Sequence, residues 1–361
     1  MTSSTDRTET PLDAAPGAAA PRLRVGIRIP PCRPVGELVE VVQQAEALGY
    51  DQVWLPDSQL LWRDVYAVAA AAAAGTRRIG VGTAVTNVVT RHPAVVASAA
   101  RTVAEVAPGR FTLGLGVGNS SVQPVGLRPS TGAEMRERVG VIRALLDGEE
   151  VDFLGVRSRL RDPAPVPLHM AASGPKNLRL AGEIADGVIL LSGVAPDNLA
   201  ASSARVQEGA AAAGKAGRVS MTVSAFCRVT DDVPAAAREL KPICAGIAQN
   251  GGGPFLALAG VHVDVPQHVP GVYPDLVHAE DWELAVRACD RYVSDEAVTA
   301  FARQFCLYGT PEEIAARLAA VAQVGATAVF LQHVGSYTLP DELLSTFARE
   351  VSPRLSAAPA R

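Results

Sequence analysis

A cationic excess is missing from this sequence. Across 361 residues, 33 lysines and arginines face 37 aspartates and glutamates, for a formal net charge of −4. Sequence-independent binding to a phosphate backbone draws on the opposite balance, so nucleic acid is not an expected partner. Long apolar runs are missing too. The alanine-rich stretch Ala67–Ala74 is followed at once by Thr76, Arg77 and Arg78 and is too short to span a bilayer, so no membrane partner is expected. Residues 1–21 are rich in Ser, Thr, Ala and Pro and lack a positive start backed by an apolar region and cleavage site. They read as a disordered leader, and the protein as cytoplasmic. Cysteine occurs only five times, at Cys32, Cys227, Cys244, Cys289 and Cys306, with no CxxC pair, which argues against a disulfide framework or a structural zinc. His262, His268 and His278 share one segment at spacings that fit no metal-site pattern, so no metal is expected.

Hydrophobic residues reach 48%, enough for a sizeable core in one large domain or two modest ones. From Leu23 onward, short β-branched runs alternate with amphipathic segments, the mark of βα units around a parallel sheet. The expected strands are Leu23–Ile29, Gln52–Leu55, Ile79–Thr86, Arg110–Gly116, Pro167–Ala172, Gly187–Leu191, Val219–Arg228 and Thr327–His333. Between them, Gly36–Ala47 repeats Leu38, Val41, Val42 and Ala45 at helical steps and is closed by Gly49. Thr310, Pro311 and Glu313 mark a capping box for a helix Pro311–Val324. Eight strands with intervening helices specify an α/β fold, a (β/α)₈ TIM barrel over residues 22–353, followed by a tail at 354–361. A doubly wound open sheet is the alternative. Two stretches exceed a simple connection. Glu149–Arg161 reads as a hairpin in which Val151, Phe153 and Leu154 face Val156 and Leu160. An insertion at about 251–301, rich in Gly and Pro before an amphipathic segment around Trp282–Tyr292, suits a lid or partner surface.

In a barrel of this kind the site lies at the carboxyl ends of the strands. After the fourth strand, Gly114-Leu115-Gly116-Val117-Gly118-Asn119-Ser120-Ser121 removes alternate side chains, which lets a planar ligand lie on backbone or merely makes a tight turn. After the fifth, Ser173-Gly174-Pro175-Lys176-Asn177 opens a helix Lys176–Ala185. Free amides and the positive end of the dipole make a phosphate site there, or simply a helix start. After the third, Thr86 through Pro93 places polar groups ahead of a helix. An Arg-His pair such as Arg91-His92 there is more often structural than catalytic.

Three ordered stretches carry a family resemblance: Gly49 through Asp57, Thr83-Ala84-Val85-Thr86-Asn87 through Arg91-His92-Pro93, and Ala171 through Pro175 with Ala185-Asp186-Gly187. From Leu23 to about Ser352 the chain resembles the luciferase-like family, above all its deazaflavin-dependent branch of methylenetetrahydromethanopterin reductases and sugar-phosphate dehydrogenases. The resemblance implies coenzyme F420 as cofactor, with FMN as the alternative. It implies that Asp57 contacts the deazaflavin and that Trp62 packs over the site. It implies a non-prolyl cis peptide at Ala84–Val85 supporting the ring, with Thr86 and Asn87 beside it. It further implies Val117, Gly118 and Ser120 along the ring or its ribityl chain, and Ser173, Gly174, Lys176 and Asn177 at the phosphate.

The departures from the pattern matter as much. The sugar-phosphate branch has a histidine and a glutamate where this chain has Ser58 and Asn119, and the pterin branch has a glutamate on the first strand where this chain has Arg28. The familiar acid/base pair is therefore absent, and a guanidinium at Arg28 favours an acidic substrate. The expected activity is F420-dependent hydride transfer to or from a small organic substrate, in a homodimer. The alternatives are a reduced-FMN monooxygenase and a non-catalytic flavin-binding barrel. For the accompanying proton, His92 and His333 lie at strand ends and titrate near neutral pH, whereas Ser58 and Asn119 offer only hydrogen bonds.

Overall fold

The β-branched runs become parallel strands: β1 Arg24–Arg28, β2 Gln52–Leu55, β3 Gly80–Thr83, β4 Phe111–Gly116, β5 Leu168–Ala172, β6 Gly187–Leu190, β7 Ser220–Val229 and β8 Ala328–Gln332. Each pairs with its successor; β6 with β7, and β8 with β1, close the ring. The result is the eight-stranded barrel expected, and closure excludes the open sheet. The computed structural model describes residues 22–356, so the leader at 1–21 and the end of the tail at 357–361 lie outside the described residues.

Helices α1 Val35–Ala47, α2 Val65–Ala74, α3 Pro93–Val106, α4 Gly132–Leu146, α5 Pro175–Ile184, α6 Pro196–Ala212, α7 Pro311–Gln323 and α8 Asp341–Thr346 surround the barrel. The periodicity of α1 buries Leu38, Val41, Val42 and Ala45, each contributing about 1–3 kcal/mol by leaving water. Thr310 and Glu313 form the expected capping box on α7.

Inside the barrel one residue dominates. Trp54 on β2 is buried against Phe330 of β8 and His169 of β5, with ring centroids 5.5 and 6.1 Å away. Its indole fits because the flanking strands carry glycine beside it. A Cβ on Gly82 would meet the ring at 2.7 Å, and one on Gly26 at 3.2 Å. Side chains alternate along a strand, so the parity of Trp54 identifies which residues line the mouth above it.

The non-prolyl cis peptide at Ala84–Val85 is the one expected, whereas three local features differ from the sequence reading. The third strand is broken: β3 stops at Thr83, the Ala84–Val85 peptide is cis, and Thr86–Asn87 resumes pairing against Leu115 and Gly116. In the hairpin, Val151–Phe153 pairs with Val156–Ser158, but Val151 opposes Ser158, and Leu154 sits in the turn, fully exposed at φ +55°. Leu160 lies beyond the register, because the turn needs both Leu154 and Gly155. Lastly, the stretch between β7 and α7 has a core of its own, running from Ala237 through Leu240, Ile243 and Cys244 to Phe305 and Tyr308. It begins before residue 251 and ends after 301, and its strand Leu307–Gly309 pairs with the overhanging end of β7.

Candidate functional site

Above Trp54 the barrel mouth has two unlike walls. On one, the inward positions are Gly116 of β4, Ala84 and Val85 beyond β3, and Ala171 of β5, all without large side chains. Val85 lies so close to Gly116 that a Cβ there would meet its Cγ2 at 2.6 Å. Leu191, just past β6, leaves 46% of its surface exposed. That wall is apolar, low and suited to a planar ring. The other wall is polar, with Arg28 ending β1 and Gln332 ending β8, whose Nε2 donates to Ser224 Oγ on β7 at 2.5 Å.

At the end of β2, Asp57 is paired with Arg91, and the Thr86 hydroxyl donates to Asp57 Oδ2 at 2.7 Å. Arg91 bonds Asp64 at 2.8 Å as well and lies over the Tyr66 ring. Burial works against the Arg91 charge, but these two carboxylates hold its pKa above the usual value. Ser58 Oγ shares a 2.6 Å hydrogen bond with Ser120 Oγ. Asn87 accepts from the Val89 and Thr90 amides and donates to Ser121 Oγ at 3.0 Å. Asp57, Ser58, Thr86 and Asn87 are thus bonded inside the protein, none more than 4% exposed. They brace the loops after β2, β3 and β4. Val117 and Gly118 are half-buried in the loop after β4, where Gly118 has φ +84°, and the exposed Asn119 side chain has no partner among the described residues.

Opposite β1 in the strand order, α5 starts without a side-chain cap. Gly174 at its N-cap has φ +70°, a conformation natural to glycine, and Ser173, Gly174 and Lys176 are exposed, with Asn177 half-buried. The first amides of α5 therefore point outward unpaired, beside a hydroxyl and an ammonium.

Arg28 differs from the other arginines of the mouth. It forms no ion pair or hydrogen bond with any described residue, and burial lowers its pKa to about 10. Its guanidinium lies 5.3 Å from the centroid of the Trp62 ring. Trp62 is fixed by a 2.8 Å bond from Nε1 to the Ser336 carbonyl and by the edge-on His278 ring.

The two histidines expected at the rim have unlike surroundings. His92 is the N-cap of α3: Nδ1 accepts from the Ala94 amide at 3.2 Å, and its ring packs on Phe153 of the hairpin. A lone pair used in capping and a ring turned to the hairpin remove it from the mouth. His333 donates from Nε2 to the Thr338 carbonyl at 3.0 Å, which leaves Nδ1 buried and unpartnered. Desolvation, and then the Arg28 charge, lower its pKa to about 4. It lines a cavity of about 230 Å³ together with Arg228, Glu239 and Glu342.

Sequence reasoning passed over Leu191, Gln332 and Ser224, whose inward parity shows only once Trp54 fixes it. The Asp57–Arg91 pair spans 34 residues, and no local spacing announces it. No cluster of metal-ligating side chains exists among the described residues, and no described helix is long and apolar enough to cross a membrane.

Residues 12–328 match the family described as luciferase-like monooxygenase. The 5,10-methylenetetrahydromethanopterin reductase of Archaeoglobus fulgidus is 29% identical over 344 residues, covering 92% of this chain and 100% of that protein. The F420-dependent glucose-6-phosphate dehydrogenase of Beutenbergia cavernae is 41% identical over 177 residues, 44% of this chain and 53% of that protein. The structure of the coenzyme F420-dependent tetrahydromethanopterin reductase from Methanopyrus kandleri superposes with a TM-score of 0.73 at 21% identity, over 92% of this chain and 99% of that one.

Proposed function

The chain belongs to the luciferase-like monooxygenase family, and from that premise we propose that it is an F420-dependent oxidoreductase acting on a small organic substrate. The observation that carries this is likeness along the whole length to a methylenetetrahydromethanopterin reductase, joined to a mouth whose one wall is flat and apolar. The residues present fit a deazaflavin. Ala84, Val85, Gly116 and Ala171 leave room for a ring, and the uncapped start of α5 with Ser173 and Lys176 suits its phosphate.

Bound there, the deazaflavin gives or takes a hydride. The protein's own residues do the rest. Asp57, Arg91 and Thr86 hold the β2 and β3 loops in register, and Val85 and Leu191 keep water from the ring face. Asn119, exposed and unpartnered, can donate to a substrate oxygen. His333, neutral at physiological pH, would accept the proton that accompanies hydride transfer through Nδ1, which is unpartnered but closed to solvent here, once a local movement uncovers that atom. The free state of all five cysteines supports a cytoplasmic location. The exposed Val95 and Val106, eleven residues apart on one face of α3, support a homodimer.

The name of the family keeps a second reading in play, a reduced-FMN monooxygenase on the same scaffold. Titrating the purified protein with F420 and with FMN, followed by turnover assays with and without oxygen, separates the two. Saturable F420 binding with oxygen-independent turnover is expected. Tight FMN binding and oxygen consumption in its place would overturn the F420 reading.

A further inference from the structure

Arg28 ends β1 at the barrel mouth, and no described aspartate or glutamate stands within ion-pair distance of it. Its neighbours in the mouth show what normal pairing looks like: Arg91 has two carboxylates. A half-buried guanidinium with its donors unmet is unfavourable in the free protein, and it persists where a ligand completes it. The nitrogens are not sealed, because none is among the buried polar atoms closed to solvent.

The platform beneath the charge is built in advance. The Trp62 indole is anchored through Nε1 to Ser336 and wedged by His278, so the ring orients the guanidinium before any ligand arrives. His333 lies near enough for the Arg28 charge to lower its pKa, and its unpartnered Nδ1 is buried. The strand order adds direction. Arg28 ends β1 and the phosphate cradle follows β5, with three strands between them either way round the ring. A cofactor whose phosphate rested on α5 would be held across the mouth from Arg28, leaving that guanidinium for the substrate.

Resting on the reading of this mouth as the substrate pocket of a ring-cofactor enzyme, we propose that Arg28 is a substrate-binding residue for a carboxylate, and that the substrate of this protein is a small monocarboxylate held over Trp62. One guanidinium fork matches the two oxygens of a carboxylate in the plane of a bidentate pair. A phosphate ester already has its own cradle across the barrel.

The test uses the full chain, free of cofactor, with propanoate and 1-propanol as probes of equal length and unequal charge, followed by tryptophan fluorescence and calorimetry. Saturable propanoate binding is expected, with 1-propanol and inorganic phosphate weaker. Arg28→Gln should weaken propanoate binding by about ten- to a hundredfold, the range for loss of a charge-assisted bond, and Arg28→Lys should recover part of it. Affinity for F420, measured separately, should not change in either variant. The inference is overturned if propanoate does not bind, if phosphate binds better, or if Arg28→Gln binds propanoate as the parent does. It is equally overturned if Arg28→Gln loses F420 affinity instead, for then the guanidinium serves the cofactor. Because the carboxylate arm needs no cofactor, its result stands whether the enzyme takes F420 or FMN.

Discussion

The guanidinium of Arg91, two residues before α3, is ion-paired with the buried carboxylate of Asp57 at the exit of β2, and the Thr86 hydroxyl completes the same carboxylate. Only 1% of the Asp57 side chain is exposed. Removing the arginine would strand a buried charge, whose cost is about 3–5 kcal/mol. Arg91→Met is therefore expected to lower the urea midpoint strongly, and Asp57→Asn in the same background to restore much of it. If Arg91→Met unfolds at the parental midpoint, the pair does not brace the loops.

Gly82 faces the Trp54 ring with no room for a methyl group. Gly82→Ala should cost about 1–3 kcal/mol, the usual penalty for overpacking a filled core, read as a lower thermal midpoint. Trp54→Phe on top of it should cost less than Trp54→Phe alone does in the parent, because the smaller ring vacates the contact. Simple additivity of the two losses would show that the glycine is not there for the indole.

Much of the barrel was legible because strands and helices obey local rules. Gln52–Leu55 reads the same in sequence and structure, and Thr310 with Glu313 announces α7 by a spacing of three. The mouth was legible in outline, since glycines at Gly114, Gly116 and Gly118 and the Ser173–Asn177 turn mark strand exits. What sequence could not supply was the third dimension. Asp57, Thr86 and Asn87 were read through a family resemblance, and no local spacing shows the bonds that tie their side chains to one another, to Arg91, to Thr90 and to Ser121. His92 looked free to titrate, and it caps a helix. The helical insertion ran past residues 251–301 because its core draws on Leu240 and Phe305, which no Gly-Pro boundary marks.

Lys176 is exposed and its side chain bonds no described residue, so its removal should leave stability alone. Lys176→Ala is expected to weaken binding of F420 by about tenfold, the worth of one charged hydrogen bond, and to flatten the dependence of that binding on salt. Equal affinities at low salt would move the phosphate away from α5.

His169 sits inside the barrel with Nδ1 unpartnered, and burial, only partly offset by Asp186, lowers its pKa to about 4. The unfolded chain takes up this proton near the ordinary value of 6.5. Between the two values the unfolded state binds more protons, so stability falls as pH drops from about 6.5 toward 4, by about 1.4 kcal/mol per pH unit, and levels off below. His333 adds a smaller loss in the same window, reduced by its partial exposure. In His169→Gln the urea midpoint should fall less steeply across that range. An unchanged slope would mean the ring is protonated in the folded barrel.

The last prediction separates the two histidines of the rim. Asparagine is a good N-cap, so His92→Asn keeps the bond to the Ala94 amide and should leave both stability and turnover near parental, whereas His92→Ala should lose about 1 kcal/mol of stability with turnover intact. His333→Gln carries its amide nitrogen to about the Nε2 position, so it keeps a donor for the Thr338 carbonyl but deletes the acceptor at Nδ1. It is expected to slow turnover by about a hundredfold, the low end for loss of a general base, with F420 affinity unchanged. Its turnover should also lose the fall toward low pH that protonation of His333 near pH 4 imposes on the parent. Parental turnover in His333→Gln at every pH would leave solvent or the substrate as the source and sink of the proton.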